Sequence, residues 1–389
     1  MGTKKKNVVI GAISTVVVCL LVVVLSLTIR KGDTGKDGLP DQPESGSSAS
    51  VQPEQETTPV PENKEYLSIT YTTSDSSTET GRMMNFYTYD VASHKLENHA
   101  QIPFLSAYAL GTVDLSEKKI YYTKSVGNTG RNVDHLFEYD MKTQVSTMLE
   151  DVNCAYNDIC LPGNGKLLVT SIPVHAVGTG IFDIATKKFS YLYKMEMNED
   201  GYEDFLWTTV PTRLNYNGHY GNFVNVSILE KTQYDDKVRS GKRSPNYQID
   251  LIDADLNTKY KYTYTLKSEI DYTITAVTQI AQDQVLLLVK KDLGEESELE
   301  SKSLFYIINY TDNSCKKVKS PFPKMLYIDN YITIDGGKSY YVEGWAKDGR
   351  SGLFFYDCIQ NTMEPILLDE YDDNTGEDNH IVNFSLVTQ

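Results

Sequence analysis

Downstream of residue 64, apolar and aromatic side chains occur in many short runs that are separated by polar turn residues. The runs are rich in β-branched and aromatic residues, and none extends far with the 3.6-residue period of an amphipathic helix. This pattern predicts an all-β domain over residues 64–389. The 28 tyrosines of the chain agree with it, because aromatic residues favour strands.

One unit recurs along this domain: an apolar strand that usually ends in Asp, a polar turn, and a second strand. The copies are NFYTYDVASHKL, LFEYDMKTQVSTML, GIFDIATKKFSYL, IDLIDADLNTKYKYTY, LFYIINYTDNSCKKV and LFFYDCIQNTMEPIL. The side chain that begins each turn is expected to accept hydrogen bonds from backbone N–H groups further along the turn. These turn-initiating residues are Asp90, Asp140, Asp183, Asp253, Asn309 and Asp357.

A second unit, a tight hairpin, precedes several of these copies, as in NDICLPGNGKLLVTS and IDNYITIDGGKSYYV. Together the two units give four strands, A to D, and the turn-initiating residues are 50, 43, 70, 56 and 48 residues apart. Most of these spacings match one blade of a β-propeller. We therefore predict six blades, with strands A to D in each of blades 2 to 6. A seven-bladed arrangement stays open, because the longest spacing has room for more chain.

The two ends of the domain complete one blade. Blade 1 has a B strand at Tyr66–Thr73, a C strand and a D strand, but no A strand before them. The chain ends with His380–Val387, which reads as an A strand with no B strand after it. Pairing these segments closes the ring and removes the open sheet edge that would favour aggregation.

The repeats resemble those of TolB-like six-bladed propellers, specifically the membrane-anchored members of low-GC bacteria. The resemblance covers about residues 65–389. TolB-like repeats usually carry a Ser-Pro-Asp-Gly turn between strands A and B, and only degenerate forms occur here, at Pro162–Lys166 and Asp335–Lys338. The resemblance implies a propeller that is held at a membrane.

The N-terminal region predicts how the propeller is held. Three lysines, Lys4 to Lys6, precede the uncharged run Val8–Ile29, which is long enough to cross a bilayer as a helix. We expect a cytoplasmic tail (1–6), a transmembrane helix (7–29), a disordered tether rich in Pro, Ser and Glu (30–63) and an extracytoplasmic propeller (64–389). The protein would then be a single-pass protein of the cell membrane. A cleaved signal peptide is the alternative, but the run is long for one.

Charge is distributed unevenly over the propeller. The chain carries a net charge of −16, which disfavours a nucleic-acid partner. The segments expected to join strand D to the next strand A (100–106, 150–156, 195–204, 268–271, 320–325 and 369–379) hold 15 acidic residues and one lysine. This loop face is either simply solvated or a docking surface for a cationic protein or peptide. Its candidate binding residues are Glu196, Glu199, Asp200, Glu203, Asp204, Asp372 and Asp373.

The A strands line the central channel of a propeller, and three of them carry Asp158, Asp329 and Asn383. Three oxygen-bearing side chains at a channel mouth have the chemistry to hold Ca²⁺ or Mg²⁺. A hydrated polar channel is the alternative. Otherwise no cofactor and no dedicated metal site are expected.

Motifs for catalysis are missing from the sequence. It contains no H-E-x-x-H, G-x-S-x-G, Walker or dinucleotide-binding pattern. Aromatic residues around an insertion before blade 4 are expected to be mostly core or strand-face residues, or else a platform for carbohydrate or peptide: Tyr202, Phe205, Trp207, Tyr216, His219 and Tyr220. The function expected is a protein- or ligand-binding scaffold, and the alternative is a metal-dependent hydrolase or lyase at the channel mouth.

Overall fold

The computed structural model describes most of the propeller region. The described residues are 64–75, 77–78, 81–104, 109–126, 134–150, 155–172, 178–192, 214–228, 246–265, 272–291, 303–372 and 377–389. All of them belong to one unit of the chain, Pro61–Gln389. The predicted tail (1–6), transmembrane helix (7–29) and tether (30–63) lie outside the described residues. Within the described ranges, no helix is long and apolar enough to cross a membrane.

Six antiparallel sheets make up the described structure, which is a six-bladed β-propeller. Blade 1 contains β1 (Glu65–Ser74), β2 (Arg82–Asp90) and β3 (Lys95–Pro103), and it is joined by the last two strands of the chain, β23 (Glu370–Asp372) and β24 (Glu377–Thr388). Blade 2 contains β4 (Gly111–Asp114), β5 (Lys119–Ser125), β6 (Asp134–Asp140) and β7 (Val145–Met148), and blade 3 contains β8 (Ala155–Gly163), β9 (Lys166–Ile172), β10 (Gly178–Asp183) and β11 (Lys188–Tyr191); blade 4 contains β12 (Asn222–Ile228), β13 (Asn246–Asp253) and β14 (Thr258–Thr265). Blade 5 contains β15 (Tyr272–Ala281), β16 (Gln284–Lys291), β17 (Ser303–Asn309) and β18 (Ser314–Val318), and blade 6 contains β19 (Met325–Ile332), β20 (Ser339–Ala346), β21 (Ser351–Asp357) and β22 (Thr362–Leu368).

The apolar runs form strands that are buried on both faces. In β16, Val285 and Leu287 pack towards blade 4, whereas Leu286 and Leu288 pack towards blade 6. Successive side chains of a strand point to opposite faces, so a strand between two neighbouring blades needs apolar residues at consecutive positions. This requirement explains why the sequence shows short unbroken apolar runs as well as alternation.

Among the described residues, the hydrophobic core forms six clusters, each lying mainly between two neighbouring blades. Tyr341 and Leu353 of blade 6, for example, pack with Leu67 and Ile69 of blade 1, so the ring is closed by apolar contacts as well as by hydrogen bonds. Each sheet is thus stabilised by both of its neighbours. Loss of one interface is expected to weaken the whole ring.

Blade 1 is completed by the C-terminal strand, as the sequence predicts. β24 pairs antiparallel with β1 from Glu65↔Thr388 to Thr72↔His380, with one irregularity after Thr70. Beyond the strands, the Lys64 N–H donates to the Gln389 carbonyl at 2.7 Å, and the Gln389 N–H donates back at 3.0 Å. The prediction of ring closure is confirmed.

All six repeated turns show the predicted side-chain cap. The Oδ1 atom of the turn-initiating residue accepts N–H groups two to four residues on, for example from Lys142 and Thr143 to Asp140 at 2.8 Å each. The same cap is made by Asp90, Asp183, Asp253, Asn309 and Asp357. Backbone donors to the ionised carboxylate, from Thr143 first and then Lys142, lower the pKa of Asp140.

Two expectations about the connections are wrong. Residues 100–103 belong to β3, so the predicted D–A loop 100–106 is shorter than expected. The predicted loop 369–379 contains a hairpin instead, because Glu370–Asp372 (β23) pairs with the start of β24, from Glu370↔Asn379 to Asp372↔Glu377. The acidic composition of this segment hid a short strand pair whose hydrogen bonds are backbone bonds.

Blade 4 departs from the predicted four strands. Its described part is a sheet of three strands, and Leu214–Asn217 stands where an A strand was expected. Asn217 makes two isolated bridges, one antiparallel to Asn222 and one parallel to Leu386 of blade 1. The described part of this segment therefore pairs with β12 at Asn217 and also reaches β24 of blade 1.

Candidate functional site

The three predicted channel residues all lie on inner strands: Asp158 on β8, Asp329 on β19 and Asn383 on β24. The side chains of Asp158 and Asn383 are 6% and 3% exposed, and Asp329 is half-buried. The structure brings Asp158 and Asn383 to the same point of β8. Ile159 donates its N–H to Asp158, and its carbonyl accepts from Asn383 Nδ2 at 3.4 Å.

The Asp158 carboxylate serves the backbone. Its Oδ1 accepts the N–H of Ile159 at 2.8 Å, and its Oδ2 accepts the N–H of Leu214, at the start of the blade 4 segment, at 2.8 Å. A bulge in β8 after Tyr156 places the side chain there. Asn330 holds the matching position after a bulge in β19, and its Oδ1 caps the N–H of Tyr331 at 2.9 Å. Asp158 and Asn330 therefore both accept a backbone N–H next to a bulge, and Asp158 also connects β8 to the blade 4 segment.

Several buried oxygens on the inner strands accept no hydrogen bond from the described residues. They are Asn383 Oδ1, Ser385 Oγ, Thr112 Oγ1 and Thr278 Oγ1. Buried oxygens of this kind in proteins are usually satisfied by ordered water. Within the described residues, no group of three or more His, Cys, Asp and Glu side chains is arranged to hold a metal ion. Convergence of Asp158, Asp329 and Asn383 on one cation stays a prediction.

Asn217, which the sequence did not single out, connects four blades at the channel. Its side chain is fully buried, and its Nδ2 donates to the carbonyls of Thr333 at 2.7 Å and Gln279 at 3.4 Å. Its Oδ1 accepts the N–H of His219 at 3.1 Å. The next residue, Gly218, donates its N–H to the carbonyl of Leu386 at 3.2 Å. Blades 1, 5 and 6 are thus all bonded to the blade 4 segment.

The turn after Asn217 crosses the channel at the face of the A–B turns. A Cβ atom on Gly218 would lie 2.5 Å from the Leu386 carbonyl oxygen, so only glycine fits without a shift of β24. His219 Nδ1 lies 2.7 Å from Glu65 Oε1 of blade 1, and the Tyr220 hydroxyl donates to the Ile280 carbonyl at 2.8 Å. Tyr216 is a core residue as expected, whereas Tyr202, Phe205 and Trp207 lie outside the described residues.

The predicted acidic docking residues Glu196, Glu199, Asp200, Glu203, Asp204 and Asp373 lie outside the described residues, as does the side chain of Asp372. Two other acidic residues of the same loop face have structural roles. Glu150 is buried and accepts the Leu136 N–H and the Tyr156 hydroxyl, at 2.8 and 3.0 Å. Asp369 accepts the Ser351 hydroxyl at 2.6 Å and the Ile381 N–H at 3.0 Å.

Other acidic residues of this loop face affect the pKa of Tyr71. Burial raises the pKa of the Tyr71 hydroxyl first, and the nearby charges of Glu370 and Asp369 raise it further. Tyr71 donates to the carbonyls of Leu368 and Asn379, beside the β23–β24 hairpin. Glu370 of the β23–β24 hairpin therefore lies close enough to Tyr71 to disfavour ionisation of its hydroxyl.

A cleft of about 840 Å³ opens between blades 1 and 2, on the opposite face, which carries the short turns. We call it the seam cleft, because both the first and last described residues border it. Its lining residues include Lys64, Tyr66, Thr88, Asp90, Ser93, Lys95, Glu97, Asn98, His99, Leu115, Ser116, Lys118, Met141 and Gln389. Sequence reasoning missed this cleft, because its residues come from five separate chain segments that no motif connects.

Comparison with known proteins finds similar structures at low sequence identity. No protein-family model and no curated protein matches the chain. A chain in the crystal structure of a nidogen/laminin complex is similar, with 9% identity, a TM-score of 0.47, and coverage of 83% of this chain and 98% of that one. TolB from Acinetobacter baumannii is 11% identical, with a TM-score of 0.41 and coverage of 80% of each chain.

A third similar structure is the β-propeller domain of the trilobed protease from Pyrococcus furiosus, with 11% identity and a TM-score of 0.43. That likeness covers 77% of this chain and 79% of the other. At such identities the likeness concerns the fold alone. The predicted resemblance to TolB-like propellers is confirmed at that level, and the six blades are established by the sheets of the chain itself.

Proposed function

We propose that the protein is a single-pass membrane protein whose extracytoplasmic propeller is a scaffold that binds a protein or peptide. The observation that favours binding over catalysis is the use of polar side chains at the channel. Asp158 accepts two backbone N–H groups, and Asn217 joins the inner strands of neighbouring blades. Such groups make the body of the propeller rigid, and binding by proteins of this kind is usually done by loops on a rigid frame.

The anchor part of the proposal is supported by the sequence. Val8–Ile29 is uncharged and follows three lysines, a pattern typical of a helix that stays in the membrane with its N-terminus in the cytoplasm. The first strand of the propeller begins at Glu65, after a polar segment that contains five prolines. Membrane fractionation of the unaltered chain tests this part, and recovery of the whole protein as soluble material would contradict it.

The binding part of the proposal concerns the acidic loop face. Within 195–204 alone there are five acidic residues and no basic one. A surface of one sign of charge attracts a partner of the opposite sign and accelerates its association. We therefore infer a cationic protein or peptide as partner, with the loop 195–204 and the hairpin segment 369–379 as the first points of contact.

The test measures the association rate of a fluorescent Lys-rich peptide with the full-length protein in detergent. The variant carries E196Q, E199Q, D200N, E203Q and D204N together. Its association rate at low salt should fall severalfold, and the difference should shrink at high salt, because exposed charges are screened beyond about 8–10 Å. The matched control neutralises five exposed acidic residues outside this loop face: Glu97, Glu117, Asp255, Asp312 and Glu364. Equal losses in both variants would refute the docking face.

The alternative function is a metal-dependent hydrolase or lyase at the channel mouth. One observation favours it: Asn383 Oδ1 is buried and accepts no hydrogen bond from the described residues. Calorimetric titration of the full-length protein with Ca²⁺ tests it directly. Micromolar binding that is lost in Asn383→Ala would support this alternative. Heat changes that are the same in the parent and the variant would speak against a site at the channel.

A further inference from the structure

We propose that the seam cleft binds a small ligand that carries an oxyanion, phosphate or carboxylate, on a hydroxyl-rich frame, as in a sugar phosphate or a sugar acid. This site is separate from the acidic loop face, because it lies on the face of the short turns. Its volume of about 840 Å³ is in the range of small-ligand sites. The proposal rests on the charges, the hydroxyl groups and the shape of the cleft.

Three lysines reach the cleft from three chain segments. Lys64 precedes β1, Lys95 begins β3, and Lys118 lies in the turn between β4 and β5. Lys118 makes no ion pair with any described residue, so its ammonium group is available. Its backbone φ is 58°, in the left-handed region, at the end of the β4–β5 turn.

The two acidic residues of the cleft are already neutralised locally. Asp90 accepts the N–H and the hydroxyl of Ser93, at 2.8 and 2.9 Å, and lies 3.3 Å from Lys64 Nζ. Glu97 lies 3.6 Å from Lys95 Nζ. Lys64 and Lys95 are thus paired, and Lys118 is the lysine of the cleft that is left over for an anionic ligand, although the chain as a whole is strongly acidic. An anion is thus the ligand that this surface attracts.

His99 lines the same cleft and is affected by its charged residues. Its Nε2 lies 2.7 Å from the hydroxyl of Thr88. Burial lowers the pKa of the imidazole most; Glu97 opposes this effect, and the charges of Lys118 and Lys64 lower the pKa further. Both lysines therefore act on one point. An oxyanion bound between them would cancel their effect and favour protonation of His99.

The remaining lining groups define the frame of the ligand. Asn98 offers its amide at the rim, whereas the hydroxyls of Ser93 and Ser116 donate to Asp90 and Asp114 and so offer acceptor oxygens to the hydroxyl groups of a ligand. Among the described lining residues the aromatic side chain is Tyr66, which is fully buried and donates its hydroxyl to the Val113 carbonyl at 2.8 Å. No aromatic ring is therefore presented for stacking on a neutral sugar. Hydrogen bonds and charge must provide the recognition.

The experiment compares three sugars that share one frame: glucose 6-phosphate, glucuronate and glucose. Each is titrated into the full-length protein in detergent by calorimetry, at pH 6 and pH 7.5. Glucose should bind at least about tenfold more weakly than one of the charged sugars, since it lacks the charge-assisted hydrogen bonds. Binding of glucuronate should be tighter at pH 6, because its carboxylate stays ionised at both pH values and favours protonated His99. Glucose 6-phosphate is compared at pH 7.5 alone, because its own phosphate titrates near pH 6. The better of the two charged ligands identifies phosphate or carboxylate as the oxyanion.

The variant Lys118→Asn removes the unpaired charge, and Asn tolerates the positive φ at this position. It should weaken binding about tenfold, whereas the control Lys316→Asn, on the exposed side of β18, should leave it unchanged. NMR of labelled histidines should show His99 shifting on titration. Three results would overturn the proposal. They are equal affinity for glucose and the charged sugars, no binding of any sugar at about 10 mM, a concentration that detects even a weak site, and equal effects of the two variants. None of these outcomes bears on the acidic loop face.

Discussion

Blades 1 and 4 lie on opposite sides of the ring and depart from the regular blade in opposite ways. Blade 1 has five strands, which come from both ends of the domain. Blade 4 has a three-stranded sheet in its described part, and Leu214–Asn217 replaces its inner strand. In blade 1 the inner edge is completed by backbone pairing along β24. In blade 4 it is completed by one side chain, Asn217, and by single bridges.

The difference shows two ways to satisfy the backbone at the centre of a propeller. A full strand provides hydrogen-bond partners for the backbone N–H and carbonyl groups along the whole of the neighbouring strand, so no single side chain is essential. A short segment leaves N–H and carbonyl groups unpaired, and each buried one costs free energy unless a side chain reaches it. Blade 1 should therefore tolerate point changes and fail on truncation, whereas blade 4 should be sensitive to point changes at Asn217.

Deletion of residues 380–389 should have the largest effect. It removes four well-buried apolar side chains, Ile381, Phe384, Leu386 and Val387. Their burial is worth about 1.5–3 kcal/mol each, which together is comparable to the whole stability of a typical domain, about 5–15 kcal/mol. We expect aggregation or loss of cooperative thermal unfolding, measured by calorimetry on the full-length chain in detergent.

The control for the deletion is Gln389→Ala. That side chain donates to Asp114 at 2.8 Å and accepts the Ser116 N–H at 3.0 Å, on the surface of the ring. Its loss should cost only about 1 kcal/mol, because water replaces both partners. A truncated chain that melts like the Gln389→Ala variant would mean that β24 is not required for closure.

Asn217→Ala should have the next largest effect. The change leaves the Thr333 and Gln279 carbonyls without their donor and the His219 N–H without its acceptor. Buried groups that lose their partners cost about 1–3 kcal/mol each, so we expect a loss of about 2–4 kcal/mol in the free energy of unfolding. Chemical denaturation of the variant and the parent measures it.

Two further variants sharpen this test. Asn217→Asp keeps the acceptor oxygen but loses the donor and adds a buried charge, so it should be at least as damaging as alanine. Gln101→Ala, at an exposed position of β3, should change the free energy of unfolding by less than about 0.5 kcal/mol. A stable Asn217→Asp variant would show that the Nδ2 contacts do not hold the inner strands together.

Blade 1 could be predicted from the sequence because its signals are local. The strand at Tyr66–Thr73 and the strand at His380–Val387 each show their own periodicity. Only their pairing had to be inferred, because blade 1 lacks an A strand and the C-terminal strand has no B strand after it. Asp90 and its equivalents were predictable for the same reason, since the cap and its N–H donors lie within four residues. Blade 4 could not be predicted in this way. Asn217 bonds to residues 62 and 116 positions away, and no local pattern encodes such contacts.

The candidate sites show the same difference between features that are local in the sequence and contacts between distant residues. The positions of Asp158, Asp329 and Asn383 on inner strands followed from the repeats, but their partners did not. Asp158 is occupied by the N–H of Leu214, 56 residues away. The seam cleft was invisible for a similar reason, because Lys64, Lys95 and Lys118 come together only when blade 1 packs beside blade 2.

The smallest expected effect compares the same turn position in the two blades, Asp253 in blade 4 and Asp90 in blade 1. Burial works against ionisation of Asp253, but hydrogen bonds from Lys259 and Asn257 outweigh it and lower its pKa to about 2. The pKa of Asp90 is also lowered, first by the Ser93 N–H and hydroxyl. A carboxylate whose pKa is lower in the folded state stabilises the fold above its unfolded pKa, near 3.9. This stabilisation is lost as the pH falls towards the folded value.

Asp253→Asn should therefore lower the free energy of unfolding by about 1 kcal/mol at pH 6, a value that allows for screening of a partly exposed group. The difference in the free energy of unfolding between the parent and Asp253→Asn should shrink below pH 4 and approach zero near pH 2. For Asp90→Asn this difference should be smaller and should be lost closer to pH 4. Asn309 supplies the control, because it makes the same cap without a charge, from Thr311 and Asp312. The penalty of Asn309→Ala should not change between pH 3 and pH 6 in urea denaturation. A penalty for Asp253→Asn that is equally flat would mean that the cap acts through hydrogen bonding alone, and that blades 1 and 4 do not differ in the electrostatics of this turn.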